Sequence, residues 1–318
     1  TFSTPPSGAT ATFSPCAGGN PTANECVVVT DALGDATSSG LTAGADPGTF
    51  PVRVSVSGSG VDAFTLTDVQ SGYRMVGSDG GVFTFGGAPY YGSTGAQHLN
   101  APIVGMAGSV GGGYYLVATD GGIFTFGPGA TFYGSTGAQH LNAPVVGMAV
   151  DPQTGGYWLV ASDGGVFAFN APFWGSMGAQ RLNAPIVGIA ATPQGGYYLV
   201  ASDGGIFSFG PGTTFYGSAG AQSLNAPIVA MATAPGGGYW LVASDGGIFT
   251  YGPGAVFFGS AGNEHLNRPI VGMSVDPATG GYWMVASDGG IFSFGAPFYG
   301  STGALRLNAP IVGMAASA

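Results

Sequence analysis

Residues 155–170 read "GGYWLVASDGGVFAFN", and residues 280–295 repeat them almost letter for letter as "GGYWMVASDGGIFSFG". Each copy is a pair of short apolar runs, rich in β-branched and aromatic residues, joined by Asp-Gly. Asp-Gly between two such runs is a strong hairpin signal, because glycine accepts the positive φ that the tight turn needs. The tetrad Ser/Thr-Asp-Gly-Gly recurs at Asp79, Asp120, Asp163, Asp203, Asp245 and Asp288, at intervals of 41, 43, 40, 42 and 43 residues. A second marker, Leu-Asn-x-Pro, recurs at Asn100, Asn142, Asn183, Asn225, Asn267 and Asn308. A period of this length decides the architecture ahead of any local reading.

Working outward from 155–170, one period contains four strand-like runs: "PVVGMAV", "YWLVAS", "VFAF" and "PFWGS". Four strands in about 42 residues make one β-propeller blade. The expected fold is all-β: a six-bladed β-propeller with four strands per blade over residues 70–318, preceded by a small, incomplete immunoglobulin-like β-sandwich over 1–69. The first repeat enters at "GYRMVGSDGG" without the "APIVGMA" strand, and the last ends with a surplus "APIVGMAASA". Residues 310–316 are therefore expected to complete the first blade. Closing the ring in this way removes two open sheet edges that otherwise recruit other chains.

The repeats resemble the "GYWLVASDGGIFSFG" arrays of secreted and surface proteins of actinobacteria, over about 250 residues. The resemblance implies an extracellular setting and no particular activity. The tetrad is also loosely similar to the Asp-box hairpin of sialidase-type propellers. Phenylalanine stands here where that motif has threonine, so no sugar-cleaving function is carried over.

Residues 1–69 lack the repeat. Their segments 29–36, 40–43, 48–58 and 64–67 follow the order of pieces in immunoglobulin-like domains of invasin and intimin type, without the opening strands. The resemblance implies a sandwich with an unpaired edge, open to strand addition by another copy, unless the opening strands lie upstream. The junction "DVQSG" is short, which implies a nearly fixed relation between the two parts.

Composition bounds the chemistry. Lysine is absent, charged residues make up 6% of the chain, and the net charge is −10. With no basic run, nucleic acid and anionic membranes are poor partners. No run reaches the roughly 20 apolar residues of a spanning helix, so no membrane insertion is expected. Cys16 and Cys26 are read as a disulfide because the rest of the composition looks extracellular; two free thiols are the alternative. The six aspartates are read as hairpin residues whose carboxylates accept turn amides, with a calcium or catalytic role left open. No nucleophile, metal or phosphate motif is present, so neither enzyme activity nor a cofactor is expected.

Before each Leu-Asn stands a varying polar residue: His98, His140, Arg181, Ser223, His265 and Arg306. These are solvated loop positions or a ring of contacts for a ligand or a neighbouring subunit. After each Gly-Tyr comes Arg74, Tyr115, Trp158, Tyr198, Trp240 or Trp283, expected to pack between blades in preference to stacking on sugars. The chain thus reads as an extracellular structural or adhesive surface protein, with a self-assembling filament or sheath subunit, joined head to tail to other copies through its first domain, as the expected form. A carbohydrate-binding propeller is the alternative, with cell-surface glycans as further candidate partners.

Overall fold

The computed structural model describes all residues except 8–9, 34, 44–47, 57–60, 69–70 and 318. The described residues form strands and turns without an α-helix, and none forms a helix long and apolar enough to cross a membrane. The chain divides into two compact units, Thr1–Gln70 and Ser71–Ala318. The expected boundary at 69/70, within "DVQSG", lies outside the described residues, as do parts of the segments 29–36 and 48–58.

In the first unit, β1 (Phe2–Ser3), β2 (Ala11–Phe13), β3 (Glu25–Cys26), β4 (Leu41–Ala43), β5 (Gly48–Ser55) and β6 (Val61–Asp68) form two antiparallel sheets. One has the order β3-β1-β5-β6 and the other pairs β2 with β4. Ala11 and Phe13 of β2 meet Cys26, Phe50 and Val52 of the larger sheet in a small core. A disulfide joins Cys16 to Cys26 and anchors the irregular stretch after β2 to β3.

The second unit begins with β7 (Gly72–Gly77) and β8 (Val82–Gly86). Five three-strand groups follow: β9 to β11 (Ile103–Gly108, Tyr114–Ala118, Ile123–Phe126), β12 to β14 (Val145–Val150, Tyr157–Ala161, Val166–Phe169) and β15 to β17 (Ile186–Ala191, Tyr197–Ala201, Ile206–Phe209), then β18 to β20 (Ile228–Thr233, Tyr239–Ala243, Ile248–Tyr251) and β21 to β23 (Ile270–Val275, Tyr282–Ala286, Ile291–Phe294). The last strand, β24 (Ile311–Ser317), pairs antiparallel with β7, from Ile311 opposite Gly77 to Ser317 opposite Gly72. Six three-stranded antiparallel sheets result. Strands β9, β12, β15, β18, β21 and β24 lie against one another in that order, and β24 returns to β9.

The middle strand of each sheet is buried along its whole length, which is why it reads "YWLVA" and not as an apolar–polar alternation. Its residues still alternate between two neighbours. Tyr157 and Leu159 pack with Tyr115 and Val117 of the preceding sheet, whereas Trp158 and Val160 pack with Tyr197 and Leu199 of the following one. The rings of Trp158 and Tyr197 are 5.0 Å apart. The position after each Gly-Tyr is thus a packing position. Arg74 fills it in the sheet built from both chain ends, 1% exposed. Its Nε donates to Pro89 O at 3.0 Å, one Nη donates to Gly112 O at 3.0 Å, and the guanidinium lies 4.9 Å from the Tyr114 ring centre.

One expectation is corrected. The run "PFWGS" and its equivalents are not fourth strands. Among the described residues each sheet has three strands, and the fourth run crosses the outside as a strap. The reason lies in where its backbone polar groups go, since buried amides and carbonyls need partners. Tyr157 Oη donates to Gly134 O at 2.6 Å and accepts the Tyr133 N–H at 3.1 Å. The same pair of bonds ties Trp174 and Gly175 to Tyr197, and Tyr299 and Gly300 to Tyr73. All six straps are clamped this way by the first tyrosine of the next middle strand. The strap glycine has φ between 130° and 142°, and a Cβ at Gly134 meets Phe169 Cδ1 at 2.7 Å. Hydrogen bonds to a neighbour's side chain have replaced a ladder to the strap's own sheet.

Candidate functional site

The centre of the ring carries little chemistry. A narrow cavity of about 110 Å³ is lined by a Val/Gly/Met-like triplet from each inner strand, such as Val146, Gly147 and Met148. Among the described residues no titratable side chain lines it, and no group of three or more His, Cys, Asp or Glu could hold a metal ion.

Clefts with a mixed polar lining occur elsewhere, where the Asp hairpins meet the Leu-Asn-x-Pro loops. A cleft of about 330 Å³ is lined by Asp120, Gln139, His140 and Asn142. One of about 270 Å³ is lined by Asp245, Ser223, Asn225, Asn263 and Phe249. One of about 260 Å³ contains Asp163, Gln180 and Asn183, and one of about 230 Å³ contains Asp120, Gln97, His98, Asn100 and Phe124. They repeat because the hairpin and the loop repeat.

The hairpin dictates how each aspartate is presented. Oδ1 accepts the N–H of the glycine two residues on, at 2.8–3.0 Å, in all six turns. The glycine between them has a positive φ, for instance 83° at Gly164. The carboxylate is half-buried and held by Oδ1, and among the described residues Oδ2 takes no hydrogen bond. Asp120, Asp163 and Asp245, held in this way, line the clefts. Asn142, Asn183 and Asn225 are exposed, and their carboxamides can donate and accept.

The six varying polar positions are all exposed. His98, His140 and Ser223 line clefts, whereas Arg181 stands beside the lining of the Asp163 cleft without joining it. The fold distributes the six over different sheets and brings no two of them together in one of these clefts.

Sequence reasoning missed the ring of aromatic side chains on the straps. Tyr90, Phe132, Phe173, Phe215, Phe257 and Phe298 are between 56 and 61% exposed. The signal was present as an aromatic two residues before each strap glycine, but a reading as strand buries it. The aromatic that follows is partly covered, as Trp174 is by the backbone at Gly210.

Tyrosine hydroxyls in the clamps are pushed above their ordinary range. For Tyr157 the main cause is burial, opposed by the hydrogen bonds to Tyr133 and Gly134. Burial also raises Tyr198, which lies outside the clamps and donates to Thr214 O, to about 12; the clamp hydroxyls stay neutral near pH 7 and hold the straps by their hydrogen bonds.

No family model and no curated protein matches the chain. Solved structures do. A chain of a nidogen–laminin complex is similar over 78% of this chain and 98% of that one, at 11% identity and a TM-score of 0.52. A protein of unknown function from Bacteroides caccae covers 78% of this chain and 99% of its own, at 9% identity and a TM-score of 0.49. Another, from Bacteroides thetaiotaomicron, covers 91% and 79%, at 14% identity and a TM-score of 0.47. The likeness to the nidogen–laminin chain is one of fold, and with the ring of antiparallel sheets it makes the repeat region a β-propeller.

Proposed function

We propose that this chain is an extracellular adhesive protein whose six-bladed propeller binds carbohydrate at several clefts beside its Asp hairpins. The observation that carries the reading is the recurrence around the ring of clefts beside the Asp hairpins, formed with the Leu-Asn loop that follows the hairpin at Asp120 and Asp163 and with the one that precedes it at Asp120 and Asp245. Each holds a fixed carboxylate oxygen, at least one carboxamide and, in two cases, a phenylalanine. Sugars present hydroxyls to such acceptors and donors and a C–H face to an aromatic ring, and a few convergent polar groups fix a ligand's orientation. Single shallow clefts bind weakly. Several on one rigid body raise the avidity for a polymer by 10²–10⁴-fold, as an order of magnitude.

The extracellular assignment rests on the Cys16–Cys26 disulfide, a bond that persists in oxidising compartments, and on the resemblance to actinobacterial surface repeats. We assign the first unit to the immunoglobulin-like class from its two facing sheets. A glycan array probed with the parent and with an Asn183→Ala/Asn225→Ala variant tests the binding reading. Retention of oligosaccharides by the parent and a clear loss in the variant is expected. An array on which the parent binds no glycan overturns it.

A second reading, self-assembly through the first unit, has its own observation. Strand β6 ends its sheet, and Val61 and Phe64 on it are exposed at 61% and 48%. An edge strand of this kind accepts a further strand. Sedimentation of concentrated protein decides it: oligomers that grow with concentration support assembly, and a monomer throughout refutes it.

A further inference from the structure

We infer that the Asp163 and Asp245 clefts discriminate between sugars by charge, with the hairpin aspartate as the residue that does so: amine-bearing sugars are preferred, neutral ones accepted, and acidic ones rejected. The inference rests on the carbohydrate-binding reading and adds the ligand class.

The argument starts from the carboxylate. In the Asp163 and Asp245 clefts, Oδ1 is committed to the N–H of Gly165 and Gly247, at 2.9 and 3.0 Å. This bond fixes the side chain and leaves Oδ2, on a residue that lines the cleft, without a hydrogen bond among the described residues. No cation balances it there. Among the described residues, the linings of these two clefts contain no Arg or His, and the exposed Arg181 stays outside the Asp163 lining. The chain as a whole carries −10 and no lysine. A uronate, a sialic acid or a phosphosugar therefore brings a second anion to an unbalanced one. A protonated amine supplies the missing cation and makes a charge-assisted hydrogen bond, which is stronger than a neutral one. A hydroxyl or an N-acetyl group makes the neutral bond only.

The magnitude is modest at one cleft and larger over several. Partly exposed ion pairs contribute about 0.2–1 kcal/mol, which converts to at most about a fivefold preference per cleft. Clefts engaged together multiply that preference.

The test compares tetramers of glucosamine, N-acetylglucosamine and galacturonic acid at pH 6, by calorimetric titration against the whole chain. The parent is expected to bind them in that order. Raising the salt to about 0.5 M shortens the screening length and should bring the glucosamine tetramer down to the level of its N-acetylated form. A double variant, Asp163→Asn/Asp245→Asn, removes the charge from these two clefts while its Oδ1 still accepts the glycine amide. The hairpins should survive, and the preference for amines should fall about fivefold or more. If the tetramers bind without regard to charge, or the variant keeps the parent's preference, discrimination by aspartate is overturned while sugar binding stands. If none of the three binds the parent, the carbohydrate reading fails and this inference with it.

Discussion

The tyrosine clamps give the strongest quantitative test. In Tyr157→Phe the ring stays and only the hydroxyl goes, so no cavity opens in the packing around Tyr157. Two backbone groups lose their partner: the Gly134 carbonyl, bonded at 2.6 Å, and the Tyr133 amide, bonded at 3.1 Å. A protein hydrogen bond contributes about 0.5–1.5 kcal/mol net, so two contribute about 1–3 kcal/mol. Water can reach the strap, since Tyr133 is 39% exposed, which favours the middle of that range over its top. A loss of about 2 kcal/mol lowers the melting temperature of a domain this size by about 4–8 °C. The equivalent Tyr73→Phe change releases the strap at Tyr299 and Gly300, and so loosens the sheet made from both chain ends by the same amount. Because the two sites share no partner, the double variant should lose the sum within about 0.5 kcal/mol. Thermal unfolding followed by circular dichroism reads all three. If both single variants melt with the parent, the straps are not held by these hydroxyls and the account of the missing fourth strand is wrong.

Three further outcomes are expected. Burial holds the clamp tyrosines above the value of about 10 that they have in an unfolded chain; stability should therefore be full below pH 10 and fall as the pH rises from there through the folded values, as Tm against pH will show, and an unchanged Tm up to pH 12 contradicts it. Gly134→Ala should cost about 3 kcal/mol, from a φ of 136° and a contact of 2.7 Å with Phe169, whereas Gly155→Ala, with φ 71° and open space around it, should cost about 1 kcal/mol; equal denaturant midpoints refute the contrast. Removing residues 310–318 strips β24 from β7 and should bring aggregation or loss of cooperative unfolding; a truncated protein that melts like the parent shows that the pairing contributes nothing.

Much of this protein was determined by the sequence alone. The Asp-Gly turns and the 42-residue period located six hairpins, because both depend on local conformation and on repetition, and each is visible within one copy. The position after each Gly-Tyr likewise read as packing between blades, because a large aromatic there suits a buried contact. The surplus "APIVGMAASA" pointed to β24 before its partner was known, since a strand missing at one end and left over at the other has one economical solution. The tertiary structure decided what depends on a neighbouring copy. The fourth run reads as a strand because its aromatic and glycine residues fit one. Whether its amides pair with its own sheet or with Tyr157 of the next depends on a hydroxyl about 24 residues away, which no local pattern reports. The clefts are likewise formed between a hairpin and a loop that are distant in the chain. Sequence could name His98, Asp120 and Asn100 one by one, but only the packing of one sheet on the next places all three around the same space.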